Sequence, residues 1–167
     1  MRAAVAYGDM PRSIAIRLKY GRKVSLARSL ARYMANLRWE WDEDAVLIPV
    51  PLHRWQLWGR GFNQSALVAA VLSKSCGLAT APHLLRRVRR TQPLKGMNHG
   101  ERKRVVSGAF AVSDRQASAG RTVLLMDDVL TTGSTAETCA RALRKAGARR
   151  VELICWARVV RPARVVR

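Results

Sequence analysis

Apolar and polar positions along this chain fall into short blocks that predict alternating helices and strands. Ser13–Tyr20 carries Ile14, Ile16 and Leu18 and stops at Gly21, a short helix. Val24–Leu37 sets Leu26, Leu30, Tyr33, Met34 and Leu37 on one stripe, with Arg28 and Arg32 facing away. That spacing is the period of an amphipathic helix. The acidic cluster Glu40, Asp42, Glu43 and Asp44 closes the segment, and Trp39 and Trp41 beside it fit the edge of a core. Ala45–Val50 (AVLIPV) is an apolar run ended by proline, which predicts a buried strand. Phe62–Lys74 predicts a helix with Leu67, Val68, Val71 and Leu72 inward, and Leu84–Val88 a further strand.

From Arg89 to Ser107 the periodicity fails, while Pro93, Gly96, Gly100 and many charges accumulate. The expectation there is a long loop, which in a compact domain is usually functional or mobile. Strand character returns at Gly108–Val112 and most strongly at Thr122–Met126. A helix to Ala146, ended by Gly147, and a strand over Val151–Ala157 follow. Strands alternating with helices predict an α/β domain with a mainly parallel sheet. One domain over 1–167 is expected, with a helical N-terminal part (1–44), a flexible flap (89–107) and a basic tail (158–167).

Composition agrees and adds a charge problem. At 167 residues and 49% hydrophobic content the chain can close one core. Its longest uncharged run, Gly61–Ser73, is too short to cross about 30 Å of hydrocarbon, and Met1–Met10 has no signal-peptide character. A cytoplasmic protein without membrane insertion is therefore expected. The 31 Lys+Arg against 11 Asp+Glu give a formal charge of +20. Between Ala45 and Met126 the only acids are Glu101 and Asp114. Such a surface attracts polyanions by counterion release, although an arginine-rich, merely solubilised surface accounts for it equally simply. Cys76, Cys139 and Cys155 are scattered, too few for a zinc tetrahedron and odd in number for paired disulfides, so they are expected as thiols in or near the core.

The chemistry concentrates in Val123–Thr135, VLLMDDVLTTGST. Asp127 and Asp128 fall at the carboxyl end of the predicted strand, the end at which open α/β sheets bind ligands. Leu130–Gly133 predicts a turn of small residues whose N–H groups can form an anion nest. Ser134 is expected to open the next helix, with Glu137 at capping-box spacing. Carboxylates beside a phosphate nest suit a ligand with both phosphate and hydroxyls. They can accept hydrogen bonds from a ribose diol, hold a hydrated Mg²⁺, or stabilise an oxocarbenium ion. A Walker-B strand is the competing nucleotide reading, but no GxxxxGK[ST] accompanies it. A merely polar, capped βα turn is the bland one.

The same 13 residues closely resemble the phosphoribosyl-pyrophosphate (PRPP) loop of type I phosphoribosyltransferases. The resemblance implies that Asp127 and Asp128 take the ribose, and that Leu130, Thr131, Thr132, Gly133, Ser134 and Thr135 surround the 5′-phosphate. It implies Mg²⁺ held through ligand and water, with no metal site made directly by the protein. Pro49–His53 (PVPLH), Arg60–Gln64 (RGFNQ), Arg90–Gly96 (RTQPLKG) and Gly108–Phe110 (GAF) narrow the resemblance to the competence protein F (ComF) family, over about Ala6–Ala157. That family is associated with DNA uptake and natural transformation. The resemblance makes the PVPLH turn the pyrophosphate-side loop and 89–107 the active-site flap. His53 and Arg54 are then expected near the pyrophosphate, and Arg87, Arg90, Lys95 and Arg102 could close on it. Each is also an ordinary turn or surface residue when taken alone. Two departures stand out. Family members commonly begin with a cysteine-rich zinc-binding segment, and this sequence starts after the point where it would end, as either a short form or one with a truncated start. The flap's usual RNVxGAF is RVVSGAF from Arg104, without the Asn.

Trp55, Trp58 and Arg60, with Arg54, form a second constellation, RWQLWGRG. Aromatics interleaved with cations suit base stacking, while packing of one or both Trp on the Phe62 helix is the structural alternative. Three functions follow as expectations. The first is a ComF-like domain binding PRPP or a related phosphoribosyl ligand, linked to DNA uptake, with Mg²⁺-dependent phosphoribosyl transfer as the activity it could carry. The second is a non-catalytic single-stranded-DNA-binding module that works with uptake machinery. The third is a metabolic phosphoribosyltransferase of unknown acceptor.

Overall fold

The computed structural model describes residues 1–20, 24–36, 41–89, 91, 97 and 99–159. In chain order these form β1 (Arg2–Ala6), α1 (Asp9–Tyr20), α2 (Val24–Ala35), β2 (Val46–Pro49), α3 (Arg54–Arg60), α4 (Gln64–Cys76) and β3 (Ala79–Thr80). Then come β4 (Leu85–Arg87), α5 (His99–Val106), β5 (Phe110–Val112), β6 (Thr122–Leu130), α6 (Ser134–Lys145) and β7 (Arg150–Arg158). One five-stranded sheet runs β1-β7-β6-β2-β3 with every pairing parallel. β4 and β5 form a separate antiparallel pair. The expected α/β architecture with a mainly parallel sheet is present.

β6 is the centre of the molecule. It pairs with β2 from Val46↔Val123 to Pro49↔Met126, and with β7 from Thr122↔Arg150 to Leu130↔Arg158. Because strand side chains alternate, its continuous apolar run feeds two cores at once. Val123 and Leu125 join Val46, Ile48, Phe110, Cys139 and Leu143 on the side of α6 and the β4–β5 pair. Leu124 and Met126 join Leu18, Leu30, Met34, Leu47, Val68 and Leu72 on the side of α1, α2 and α4. Cys139 and Cys155 are fully buried and Cys76 partly so, all as free thiols.

Several local expectations change. β1 was not expected. Its RAAVA sequence is a weak strand former, and the edge is recruited by parallel pairing with β7, Arg2↔Ile154 to Ala6↔Arg158. On α2, Ala27, Leu30, Ala31 and Met34 are buried, whereas Tyr33 is 47% exposed and meets Trp156 edge-to-face at 5.6 Å. Leu37 and Trp39 lie outside the described residues; Trp41 is half-buried under the Arg2 guanidinium, 6.0 Å from its ring centroid. The expected loop 89–107 contains helix α5, which has a charged sequence and no apolar stripe to reveal it. Among the described residues no helix is long and apolar enough to cross a membrane.

At the amino end of β6, opposite the site, the acidic segment anchors the sheet. Thr122 donates its hydroxyl to Asp42 Oδ2 at 2.5 Å. Arg149 Nη2 lies 3.2 Å from Asp42 Oδ2, 3.0 Å from Asp44 Oδ1 and 3.2 Å from Thr122 Oγ1. The Thr122 hydroxyl, with Arg149 and Arg150 behind it, holds the Asp42 carboxyl below its ordinary value, partly opposed by desolvation. A lowered carboxyl stabilises the fold above its unfolded-state value and loses that contribution as pH falls through the folded one. Urea unfolding at pH 6 and pH 3 is therefore expected to show a smaller acid-induced loss in Asp42→Asn than in the parent protein. Equal losses would place the acid sensitivity elsewhere.

Candidate functional site

The carboxyl end of β6 carries the two acids and then the turn. Asp127 is half-buried and Asp128 is 5% exposed. Each turns a carboxylate oxygen back on the chain: Asp127 Oδ1 accepts from the Asp128 N–H and Asp128 Oδ1 from the Val129 N–H, both at 2.8 Å. The start of α4 reaches them from the next strand over. Gln64 Nε2 donates to Asp128 Oδ2 at 3.4 Å and the Ser65 hydroxyl to Asp127 Oδ1 at 3.5 Å. Asn63 holds that helix start in place. Its Oδ1 caps the Ser65 and Ala66 N–H groups, and its Nδ2 donates to the Val50 carbonyl at 3.0 Å, tying α4 to the end of β2. Arg60 Nη1 lies 3.5 Å from Gln64 Oε1, so a polar chain runs Arg60–Gln64–Asp128.

The turn after the acids begins one residue later than expected, since β6 continues through Leu130. Gly133, at φ +80°, takes the N-cap position of α6 with no side-chain cap, and Ser134 becomes the first, fully enclosed helical residue. The expected Ser134–Glu137 capping box is absent. Glu137 Oε1 instead receives Arg141 Nη2 at 2.9 Å, one helical turn on, and the Thr132 and Ser134 hydroxyls meet at 3.1 Å. An uncapped helix start leaves its first N–H groups for a ligand. Asp127 and Leu130 to Thr135 line a small cleft of about 40 Å³ there, a cradle of phosphate scale rather than of a whole ligand. Cys139 and Cys155 lie beneath. Burial, aided by the Asp127 carboxylate, raises both thiols, Cys155 to about 12. They are neutral packing groups, not nucleophiles.

The second group of expected residues sits at the neighbouring end of β2. His53 is nearly buried and caps α3: its Nδ1 accepts from the Trp55 N–H at 3.5 Å, and its own N–H donates to Gln56 Oε1 at 3.3 Å. Gly61, at φ +79°, ends this helix. None of the α3 residues is buried. The Trp55–Trp58 pair therefore does not pack into the α4 core. Trp58 is 79% exposed, the rings stand edge-to-face at 5.4 Å, and the Arg54 guanidinium lies 5.6 Å over Trp55. Arg90 and Lys95 lie outside the described residues, as does the Arg102 side chain. The sequence reading missed Asn63, Gln64 and Ser65 as site residues. The polar NQS run at the start of an otherwise apolar helix was their signal.

A parallel sheet with a two-acid strand end followed by a glycine-started helix defines a phosphoribosyltransferase-type domain. Residues 60–165 match the phosphoribosyl transferase domain family, and the chain belongs to it. Within it the chain is ComF-like. It is 31% identical to competence protein F of Haemophilus influenzae over 151 residues, 86% of this chain and 66% of that protein. It is 30% identical to the DNA utilization protein YhgH of Escherichia coli K12 over 149 residues, 86% of this chain and 65% of that one. The chain thus spans slightly less than two-thirds of the length of these relatives. Among solved structures, the glutamine PRPP amidotransferase of Bacillus subtilis superposes with a TM-score of 0.55 at 18% identity, over 84% of this chain and 30% of that one, a likeness of fold.

Gly133 tests the loop geometry. An added Cβ would meet only Leu130 Cδ1 at 3.7 Å, so space is not limiting and the positive φ is. Gly133→Ala is expected to cost about 1–2 kcal/mol in chemical unfolding, and Gly133→Asn less, because Asn tolerates this region better. Equal stability of all three proteins would refute the left-handed cap.

Proposed function

We propose that this domain binds PRPP or a closely related phosphoribosyl ligand together with Mg²⁺, and serves DNA uptake or utilisation. The observation that carries the reading is the junction of β6 and α6. Asp127 and the glycine-started helix α6 line a cleft of phosphate size, with Asp128 buried beside it. The Thr131–Thr135 N–H and hydroxyl groups bind the 5′-phosphate. Asp127 accepts from a ribose hydroxyl, and Asp128, fixed by Gln64 and the Val129 N–H, holds the strand end in register for it. Two carboxylates, one of them nearly buried, fit a Mg²⁺ that keeps most of its ligands from water and the bound diphosphate rather than a protein cage. Among the described residues no three-ligand protein cluster offers an alternative. When bound, the ion neutralises diphosphate charge.

If transfer occurs, the C1′–O bond to pyrophosphate breaks with its electron pair, and an acceptor lone pair forms the new bond at C1′. The chain's part is to orient the ribose, to offset positive charge at C1′ with Asp127, and to exclude water. The names of the relatives, competence protein F and DNA utilization protein, support the link to DNA.

PRPP with Mg²⁺ at about 100 times its dissociation constant is expected to add about 2.7 kcal/mol, seen as a melting shift of several degrees. Asp127→Asn/Asp128→Asn should abolish the shift. An unmoved melting curve at millimolar PRPP would overturn the reading.

The exposed Trp pair favours a second activity on the same fold, binding of single-stranded DNA. Edge-to-face indoles beside Arg54 offer a stacking ledge that core packing does not use. Trp55→Ala/Trp58→Ala is expected to weaken oligo(dT) binding by about 1–3 kcal/mol per lost stack while leaving PRPP binding intact. Parent affinity should fall steeply with salt. Unchanged affinity in the double variant would remove the ledge from any DNA path.

A further inference from the structure

A groove of about 360 Å³ lies between β5 and the later turns of α6, remote from the phosphate turn at the helix start. Thr138, Arg141, Ala142, Lys145 and the C-cap Ala146 recur at the i, i+3, i+4 spacing of one helix face, and that face is one wall. Its residues are small where they meet the groove floor and cationic at the rim, since Arg141 and Lys145 are exposed and Ala146 is buried. β5 is the other wall. Phe110 is buried and Val112 half-buried against the core under α6, whereas Ala111 between them is exposed, the alternation of a strand covered on one face. Arg115, exposed just past β5, completes the rim.

Two features of this groove ask for a partner. The first is an open strand edge, because among the described residues β5 pairs with β4 alone. The Val88 N–H donates to the Ala109 carbonyl and the Ser113 N–H to the Leu84 carbonyl, both at 2.9 Å. Bonded residues alternate in an antiparallel ladder, so Ala109, Ala111 and Ser113 turn their backbone groups to β4. Phe110 and Val112 therefore turn theirs to the open edge, a template for one more extended chain. The second feature is charge of one sign. Among the described residues no carboxylate lines the groove, and neither Arg115 nor Lys145 enters an ion pair. Arg141 is shared with Glu137, and Asp114, next to Arg115, is turned to the Gln116 N–H at 2.9 Å.

We propose that this groove docks an extended acidic segment of a partner protein, which adds to β5 as a third strand. The segment's main chain pairs with Phe110 and Val112. Its apolar side chains on one face lie against the groove walls, and its carboxylates meet Arg115, Arg141 and Lys145 at the rim. A nucleic-acid strand answers only the charge, since it has no use for apolar walls and no peptide backbone to continue a sheet. A second copy of this chain fits poorly. Two molecules of formal charge +20 repel, and in the acidic cluster that a copy could offer, Asp42 and Asp44 are already held by Arg149. The groove and the phosphate cleft share no lining residue, so the docking site stands apart from the phosphoribosyl reading.

Selection of a random peptide library on the parent protein, followed by fluorescence anisotropy with the enriched peptide, tests this. Enriched sequences are expected to alternate carboxylate and apolar residues. The labelled peptide should bind Arg115→Glu/Lys145→Glu at least about 10-fold more weakly than the parent, equivalent to about 1.4 kcal/mol. Val112→Pro removes a donor from the open edge without touching the β4 ladder, and should weaken the peptide by a similar factor. N-methylation of alternate peptide amides should abolish binding in one register and spare it in the other, which decides edge pairing even where Val112→Pro melts below the parent. At about 0.15 M salt, oligo(dT) should not displace the peptide. A library that yields no acidic sequences, equal affinity in the double variant, or indifference to both methylated registers would each overturn the proposal. Displacement by oligo(dT) would overturn it in favour of a nucleic-acid surface.

Discussion

Parallel pairing of β6 on both sides, with apolar side chains on both faces, is the constraint on which the other features depend. Val123–Met126 leave no room for polar substitution, since each lies at or below 2% exposure and the two faces belong to different cores. Register follows from this burial, because a slip by one residue would exchange the two cores. Once β6 is fixed between β2 and β7, Asp127 and Asp128 can emerge only at the carboxyl edge, beside the β2 end that leads into the His53 turn. The site is a consequence of sheet order. Its two halves come from adjacent strands, and α4, pinned to Val50 by Asn63, braces both acids from above.

The legible parts of the sequence are those in which one residue pattern answers to one physical demand. The β6 run, the two acids and the small-residue turn were legible because an apolar segment followed by acids and TTGST has few structural uses. α4 was legible from its apolar residues, within two residues at each end. α3 was not. It buries none of its residues and is held by the reciprocal His53–Gln56 cap and by Gly61, so it carries no hydrophobic period to detect. β1 was hidden for the complementary reason, since its pairing partner β7 lies about 150 residues away in sequence. The capping box failed because Gly133, in a left-handed conformation, occupies the position that a Ser cap would need, and Ser134 is displaced into the buried first turn. That failure is informative, since a helix start left uncapped by its own side chains is one available to a ligand.

Charge shows a similar division. The formal +20 permits any polyanion and identifies none. In the fold, the few acids are spent at specific places: Asp42 and Asp44 on Arg149 at the foot of the sheet, Glu152 on Arg2 and Arg150 at its edge, and Glu137 on Arg141 along α6. The foot cluster closes the end of the sheet away from the site with opposite charges in contact. At the site end Asp127 and Asp128 accept from hydroxyl, amide and backbone donors.

Two carboxylates held side by side at one strand edge have an energetic cost and a functional reason. Two adjacent carboxylates at one strand edge repel each other, and hydrogen bonds to their charged forms offset that repulsion. Gln64 and Ser65 donate to the two acids, as do the Asp128 and Val129 N–H groups. The amide and hydroxyl side chains of this rim, unremarkable in composition, thus fix the two carboxylates in place at the strand edge. Such preorganisation raises the energy of the empty site in exchange for selectivity in the occupied one.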